Sequence, residues 1–213
     1  MQKHEGLEPM TIEMLLNDPV NSYLIFILGR NSDVVIGVPH HAPLGVQDLP
    51  CESHPTSDEN TGFIGYHLAQ MLDCPCLIAG NYFIDPNKYK SSDYFKKIEE
   101  ISPKFLIEIH GHAGQSAYFD IEISAGSLDK STLSEKFADQ LSSEFSKHPS
   151  LRNYTISGNF VQIHFRATKS LTINTDQWTA FHIELPQKLR EDQHQYNQLC
   201  ESLEKIVRVL LSS

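Results

Sequence analysis

Eight runs of apolar, β-favouring residues recur along the chain and predict a sheet. Most contain Val, Ile, Phe or Tyr and are bounded by turn-forming residues. The residues between the first two runs, Arg30 to Ser32, suit a hairpin. The predicted strands cover residues 22–29, 33–38, 76–80, 105–110, 118–124, 153–156, 160–165 and 178–185.

Apolar residues at helical spacing predict helices between these strands. One helix begins at Asn60, a short one at Ser92, a third at a capping box of Thr132 and Glu135, and the last runs from Gln187 to the end. Strands that alternate with amphipathic helices predict an α/β protein with a three-layer αβα arrangement. The hairpin predicts that its sheet is mixed, and the length of 213 residues suits a single domain over residues 1–213.

Composition narrows the possible partners. The chain has 40% apolar and 21% charged residues, which is ordinary for a folded protein. Its formal charge of -10 would repel phosphate backbones, so we expect no nucleic acid partner. No apolar stretch approaches the roughly 18 residues of a membrane span, and the start of the chain lacks the apolar core of a secretory signal. We therefore expect a cytoplasmic protein without membrane contact.

Polar side chains cluster near the predicted strand ends, where ligands bind in open α/β sheets. Two imidazoles and a carboxylate with an open fourth position form the ligand set of a catalytic zinc, and a further carboxylate can activate water. The candidates are His40, His41, Asp58, Glu59, His110, His112 and Glu184.

Two glutamates lie inside otherwise apolar strands. An unpaired carboxylate there would cost several kcal/mol. Glu108 and Glu184 therefore require a cation, a metal ion or a hydrogen-bond network. Four other histidines are expected in solvated positions, namely His4, His54, His148 and His194.

Three stretches resemble metal-binding segments of the N-formylglutamate amidohydrolases and the related poly-γ-glutamate hydrolases. They read VVIGVPHHAPLGV, SDENTGFIGYHLA and IEIHGH. The resemblance implies a zinc exopeptidase-like fold with zinc ligands at His40, Glu59 and His110, and with Glu108 supporting the third ligand. The stretch FHIELP is similar to the strand that carries the catalytic glutamate of zinc carboxypeptidases, which implies that Glu184 is the general base.

The stretch FIDPNKY resembles a carboxylate-binding segment that usually reads Asp-x-Asn-Arg. It implies that Asn87 and Lys88 bind the substrate and that Asp85 supports the site; Arg166 is a further candidate. A lysine in place of arginine lacks the planar two-point fork, so substrate preference is expected to differ. The implied activity is zinc-dependent hydrolysis of an amide bond in an N-acyl amino acid such as N-formylglutamate, or in a small peptide with a carboxylate.

Several alternatives remain open at this point. The segment between His40 and Glu59 is longer and more acidic than usual, which leaves His41 or Asp58 as replacement ligands. The same fold could serve as a binding module without catalysis, using the cleft for a small anion or peptide. A hydrolase with Cys51 as its nucleophile is a third possibility.

Overall fold

The computed structural model describes residues 2–212, which form a nine-stranded mixed sheet with helices on both faces. The predicted three-layer α/β class is confirmed. The strands are β1 (Gln2–Glu5), β2 (Tyr23–Ile27), β3 (Val34–Ala42), β4 (Asp58–Glu59), β5 (Cys76–Gly80), β6 (Phe105–His112), β7 (Ile121–Ser124), β8 (Ile156–Ser157) and β9 (Thr179–Pro186). The helices are α1 (Pro9–Leu16), α2 (Thr61–Leu72), α3 (Asp93–Ile101), α4 (Ser131–Phe145), α5 (Gln187–Glu191) and α6 (Gln193–Ser212).

The strands run in the order β1, β2, β5, β3, β6, β9, β7, β8, with β4 paired to the end of β3. Strands β5, β3, β6 and β9 are parallel, whereas β2 is antiparallel to β5 and β7 is antiparallel to β9. The predicted hairpin is wrong, because β5 lies between β2 and β3. The sheet is mixed because of its two antiparallel pairs instead.

Helices cover the two faces unevenly. One core packs side chains of α1, α2, α4 and α6 against the sheet. The core on the opposite face has α3 and the segment that leads into β9, with Trp178 donating from its indole N–H to the carbonyl of Thr172. A cleft opens beyond the ends of β3, β6 and β9, where His40, His110 and Glu184 line its wall. Among the helices of residues 2–212, none has the length and apolar character needed to cross a bilayer.

One predicted strand is wrong for a specific reason. Residues 160–165 form turns, because the backbone N–H groups of His164 and Phe165 donate to the carboxylate of Glu122 on β7. Glu122 is fully buried and also accepts from the backbone of Tyr118 and Phe119. Through these hydrogen bonds, the Glu122 carboxylate connects the irregular segments at residues 118–119 and 164–165 to strand β7.

Three helix boundaries also differ from prediction. The predicted capping box of Thr132 and Glu135 is wrong, because α4 begins at Ser131 and Lys130 precedes it without a side-chain cap. Asn60 precedes α2 as expected, but it adopts a left-handed backbone with φ 65° and makes no side-chain cap. The C-terminal helix is broken at Asp192, which separates α5 from α6. Strand β1 and helix α1 lie in a region for which the sequence pattern made no prediction.

Candidate active site

A β-bulge in β3 selects which of two adjacent histidines reaches the site. Val34, Ile36 and Val38 alternate onto the face covered by α2, and regular alternation would send His40 there too. The register of β3 against β5 shifts between Val38 and His41, around Pro39, which cannot donate a ladder hydrogen bond. His40 therefore turns toward β6.

Three buried side chains converge beyond the ends of β3, β4 and β6. The Oδ2 atom of Asp58 lies 3.4 Å from Nδ1 of His40 and 3.2 Å from Nδ1 of His110. Ligand atoms around a tetrahedral zinc lie about 3.3 Å apart, given zinc–nitrogen and zinc–oxygen distances near 2.0–2.1 Å. Among the described residues, His40 Nδ1 and Asp58 Oδ2 are buried and have no hydrogen-bond partner. Their spacing, chemistry and unmet bonding capacity fit a metal ion.

The second nitrogen of each histidine is held by another carboxylate. His40 Nε2 lies 3.0 Å from Oδ1 of Asp85, and His110 Nε2 lies 3.2 Å from Oε2 of Glu108. Such partners fix the ring orientation and raise the basicity of a metal-binding histidine. Asp85 also pairs with Nζ of Lys88 at 2.5 Å.

The mutual contacts shift the pKa values of the three central groups. Burial by itself lowers the pKa of His110, but the carboxylates of Asp58 and Glu108 beside its two ring nitrogens outweigh burial and raise the pKa to about 10. The pKa of His40 is raised in the same way by Asp58 and Asp85, against the effect of burial. Burial raises the pKa of Asp58, but the two histidines lower it further, below the ordinary value. The cluster thus favours positive charge beside an anionic oxygen.

Glu108 is held in a network that the sequence could only suggest. Its carboxylate is fully buried and accepts from the hydroxyl of Tyr94 at 3.1 Å and from the amide of Asn87 at 3.3 Å. The Tyr94 hydroxyl crosses β3 at Gly37, where a Cβ atom would lie 2.2 Å from it. A side chain at position 37 would therefore separate Tyr94 from Glu108.

We expect Tyr94→Phe to lower the free energy of unfolding by about 1–3 kcal/mol, because a buried acceptor loses its donor. Chemical denaturation at neutral pH measures the change. Tyr82→Phe is the matched control, since the buried Tyr82 hydroxyl has no hydrogen-bond partner. Equal losses in the two variants would show that the Tyr94 hydrogen bond contributes nothing specific.

Glu184 and His182 extend the cluster from β9. Glu184 pairs in register with His110, and the His182 ring stacks on the His110 ring with centroids 4.0 Å apart. His182 Nε2 lies 3.4 Å from Glu184 Oε1, while Glu184 Oε2 has no hydrogen-bond partner within residues 2–212. Burial raises the pKa of Glu184 to about 8, although His110 acts in the opposite direction. A carboxyl group near neutrality in pKa is suited to accept and return a proton.

An open cleft of about 420 Å³ gives access to these groups. His40, His110 and Glu184 lie on its wall, and so do the predicted substrate-binding residues. These are Asn87, Lys88 and Arg166. Arg166 is exposed, and its guanidinium donates to the carbonyls of Val161 and Ile163 within its own loop.

The structure brings Asp58, and not the predicted ligand Glu59, to the two histidines. Glu59 instead accepts a hydrogen bond at 2.7 Å from the backbone N–H of Gly45. His41, the other open alternative, packs between α1 and α2, with its Nε2 at 3.0 Å from the carbonyl of Leu16. Burial lowers the pKa of His41 to about 4, so it is a neutral structural residue.

Two further candidates lie elsewhere. His112 is held by the carbonyl of Asp120 and the N–H of Gly114. Cys51 is buried beside Leu49, with Ser53 at 3.4 Å from its sulfur.

Sequence reasoning missed three residues of this region. His54 was expected in solvent, but its ring stacks on His40 with centroids 3.7 Å apart, and burial lowers its pKa to about 4. His182 shares one strand face with Glu184, so the period of two could have revealed it. Arg190 is 2% exposed and follows the closing strand; no sequence pattern marked it.

The sheet order and the two helical layers define a three-layer α/β fold with a buried His/Asp/Glu cluster at the strand ends. Solved structures of this fold are similar to the chain. An N-formylglutamate amidohydrolase from Ralstonia eutropha gives a TM-score of 0.52 at 12% identity, with 85% of this chain and 94% of that chain covered. A bacteriophage poly-gamma-glutamate hydrolase gives a TM-score of 0.53 at 9% identity, with 95% and 96% covered.

A gene product from Agrobacterium tumefaciens gives a TM-score of 0.54 at 14% identity, with 86% of this chain and 92% of that chain covered. No protein-family model and no curated protein sequence matches the chain. The predicted likeness to the N-formylglutamate amidohydrolases is thus confirmed for the fold.

Proposed function

We propose that the protein is a zinc-dependent amidohydrolase that cleaves an amide bond in an N-acyl amino acid or a small peptide. The observation that carries this proposal is the convergence of His40, Asp58 and His110 beside Glu184, whose Oε2 has no hydrogen-bond partner among the described residues. The likeness in fold to known amidohydrolases supports the same reaction class. Asp58 takes the ligand position that the resemblance in sequence gave to Glu59.

His40, Asp58 and His110 would hold the zinc, with Asp85 and Glu108 orienting the two rings. When bound, zinc lowers the pKa of a coordinated water toward about 7 and polarises a carbonyl. Glu184 accepts the proton of the attacking water and returns it to the leaving amine. Its position beside His110, without a hydrogen bond to one carboxylate oxygen, suits this role.

The cleft wall supplies the groups for an anionic substrate. Lys88 offers a charge held in place by Asp85, and Asn87 is 3% exposed with an amide oxygen that has no partner. Arg166 also lines the cleft, and its guanidinium pairs with no carboxylate within the described part of the chain. We propose a substrate that carries a carboxylate near its scissile amide. The cytoplasmic location stays a prediction.

The deciding experiment combines metal analysis with a substrate screen. Protein purified without chelator is analysed for zinc and then assayed on N-formyl and N-acyl amino acids and on γ-glutamyl peptides. We expect near-stoichiometric zinc, turnover of at least one of these amides, and loss of both after chelation. Stoichiometric zinc without any turnover would favour the binding module, and chelator-resistant activity that alkylation removes would favour Cys51.

Zinc binding should release protons. In the metal-free protein, His110 has a pKa raised to about 10, so it holds a proton at pH 7 that zinc must displace. Zinc affinity should therefore rise between about pH 6 and pH 9, about tenfold per pH unit for each proton displaced. Calorimetric zinc titrations in buffers of different ionisation enthalpy count these protons. A binding heat that is the same in every buffer would contradict the protonated state of the cluster.

A further inference from the structure

Arg190 is a buried cation whose guanidinium binds main-chain carbonyls of three strands. Its Nε donates to Leu185 at 3.2 Å, its Nη2 donates to His112 at 3.3 Å, and its Nη1 donates to Glu59. The side chain is 2% exposed and forms no ion pair with a carboxylate among residues 2–212. Five donors in a planar fork allow one arginine to bind several acceptors at once.

Each accepting carbonyl lies next to a residue of the site. Glu59 follows Asp58, Leu185 follows Glu184, and His112 comes two residues after His110. Strand β4 has only two residues and pairs with β3 alone, so no ladder hydrogen bond fixes it relative to β6 or β9. Arg190 makes that connection across the end of the sheet.

Two neighbouring residues, Gly111 and Asn60, accommodate the Arg190 side chain and bind its backbone, respectively. A Cβ atom at Gly111 would lie 2.5 Å from the central guanidinium carbon, so only glycine leaves room for it. Asn60, with its left-handed backbone, donates from its side-chain amide to the carbonyl of Arg190. The segment at residues 59–60 and Arg190 near the end of α5 therefore donate hydrogen bonds to each other in both directions.

We propose that Arg190 is a positioning residue that sets the distance of Asp58 from His110 and Glu184 without touching metal or substrate. The inference rests on the proposed function, which gives that distance its importance. A ligand spacing near 3.3 Å tolerates little displacement, since metal–ligand distances in proteins vary by only about 0.2 Å.

The test uses cobalt(II) as a spectroscopic substitute for zinc on the full chain. We expect Arg190→Met to lower cobalt affinity by about 10–100-fold, the range typical of lost outer partners, and to change the visible absorption of the bound ion. The matched control is Arg208→Met on α6, which removes an arginine hydrogen bond to the carbonyl of Met71 and an ion pair with Glu204, neither of which is a residue of the site. The control should keep both the affinity and the spectrum. Circular dichroism establishes that each variant is folded.

Two milder variants keep the test decisive if Arg190→Met does not fold. Gly111→Ala displaces the guanidinium without removing it, and Arg190→Lys keeps the charge but loses the fork. Both should shift the cobalt spectrum in the same direction as Arg190→Met. A folded Arg190→Met protein with wild-type cobalt affinity and spectrum would overturn the proposal. If Arg190→Met does not fold, the same result for Gly111→Ala or Arg190→Lys would overturn it.

Failure of the proposed function gives a different pattern. If the wild-type protein itself binds neither cobalt nor zinc, the metal site is refuted, and the positioning claim is then tested by hydrogen exchange in the metal-free protein. Arg190→Met should speed exchange at residues 58–61 while the central strand β3 stays protected. Unchanged exchange at those residues would overturn the positioning role independently.

Discussion

Replacing Glu184 by glutamine should lower kcat by about 10²–10⁴-fold while the protein keeps its zinc. Glutamine has nearly the same shape as glutamate but cannot accept the proton of the attacking water. Steady-state kinetics on the best substrate from the screen, with zinc measured in the same samples, gives the result. Glu191→Gln on α5, an exposed residue, is the control and should keep its activity.

The stability of the metal-free protein provides a second readout of the same substitution. The pKa of Glu184 is raised to about 8 in the folded protein, mainly by burial, against an ordinary value of 4.5. Its contribution to stability is therefore full below about pH 4.5 and is lost as the pH rises toward 8. Glu184→Gln should remove this loss, so the variant gains stability relative to wild type between pH 5 and pH 8. If Glu184→Gln keeps the wild-type kcat in the kinetic test, Glu184 is not the general base.

Replacing Asp58 by asparagine should weaken zinc binding more than the roughly 10–100-fold expected for loss of an outer partner. The substitution removes the negative charge that lies between His40 and His110. Competition with a chromophoric chelator measures the affinity. Activity at limiting zinc should fall in parallel.

The adjacent Glu59→Gln variant is the matched control for Asp58→Asn. Glutamine can still accept the hydrogen bond from Gly45, so we expect zinc affinity within about twofold of wild type. The two positions differ by one residue, which makes the comparison direct. Loss of zinc in Glu59→Gln together with retention in Asp58→Asn would restore Glu59 as the ligand and refute the proposed set.

Local patterns predicted most elements but not their neighbours in the sheet. The run at residues 76–80 gave β5 with its observed bounds, because a short apolar stretch between turns has few alternatives. The insertion of β5 between β2 and β3 depends on long-range packing, which proximity in sequence does not encode. The predicted strand at residues 160–165 is absent for a similar reason. The backbone N–H groups of His164 and Phe165 donate to the carboxylate of Glu122, which is distant in sequence, and not to a neighbouring strand.

The candidate site shows the same division. The strand period placed Glu108 and His110 on one face, and the cost of burying a carboxylate correctly indicated that Glu108 needs partners. The choice between Asp58 and Glu59 depends on the course of a two-residue strand, which no period describes. The contacts of Arg190 could not be predicted from the sequence, because its three acceptors are main-chain carbonyls, which residues of any type supply.

Because of the β-bulge around Pro39, the directions of the His40 and His41 side chains depend on the register of β3 more than on the identity of its other residues. Replacing Val38 with another aliphatic residue would leave each of the two histidine side chains on its present side of the sheet. Pairing the same residues without the bulge would turn His40 into the helical layer and His41 toward the cleft, whereas deleting Pro39 together with the bulge would keep both directions. Homologues with this chemistry should therefore either keep the bulge or lack both the bulge and its extra residue.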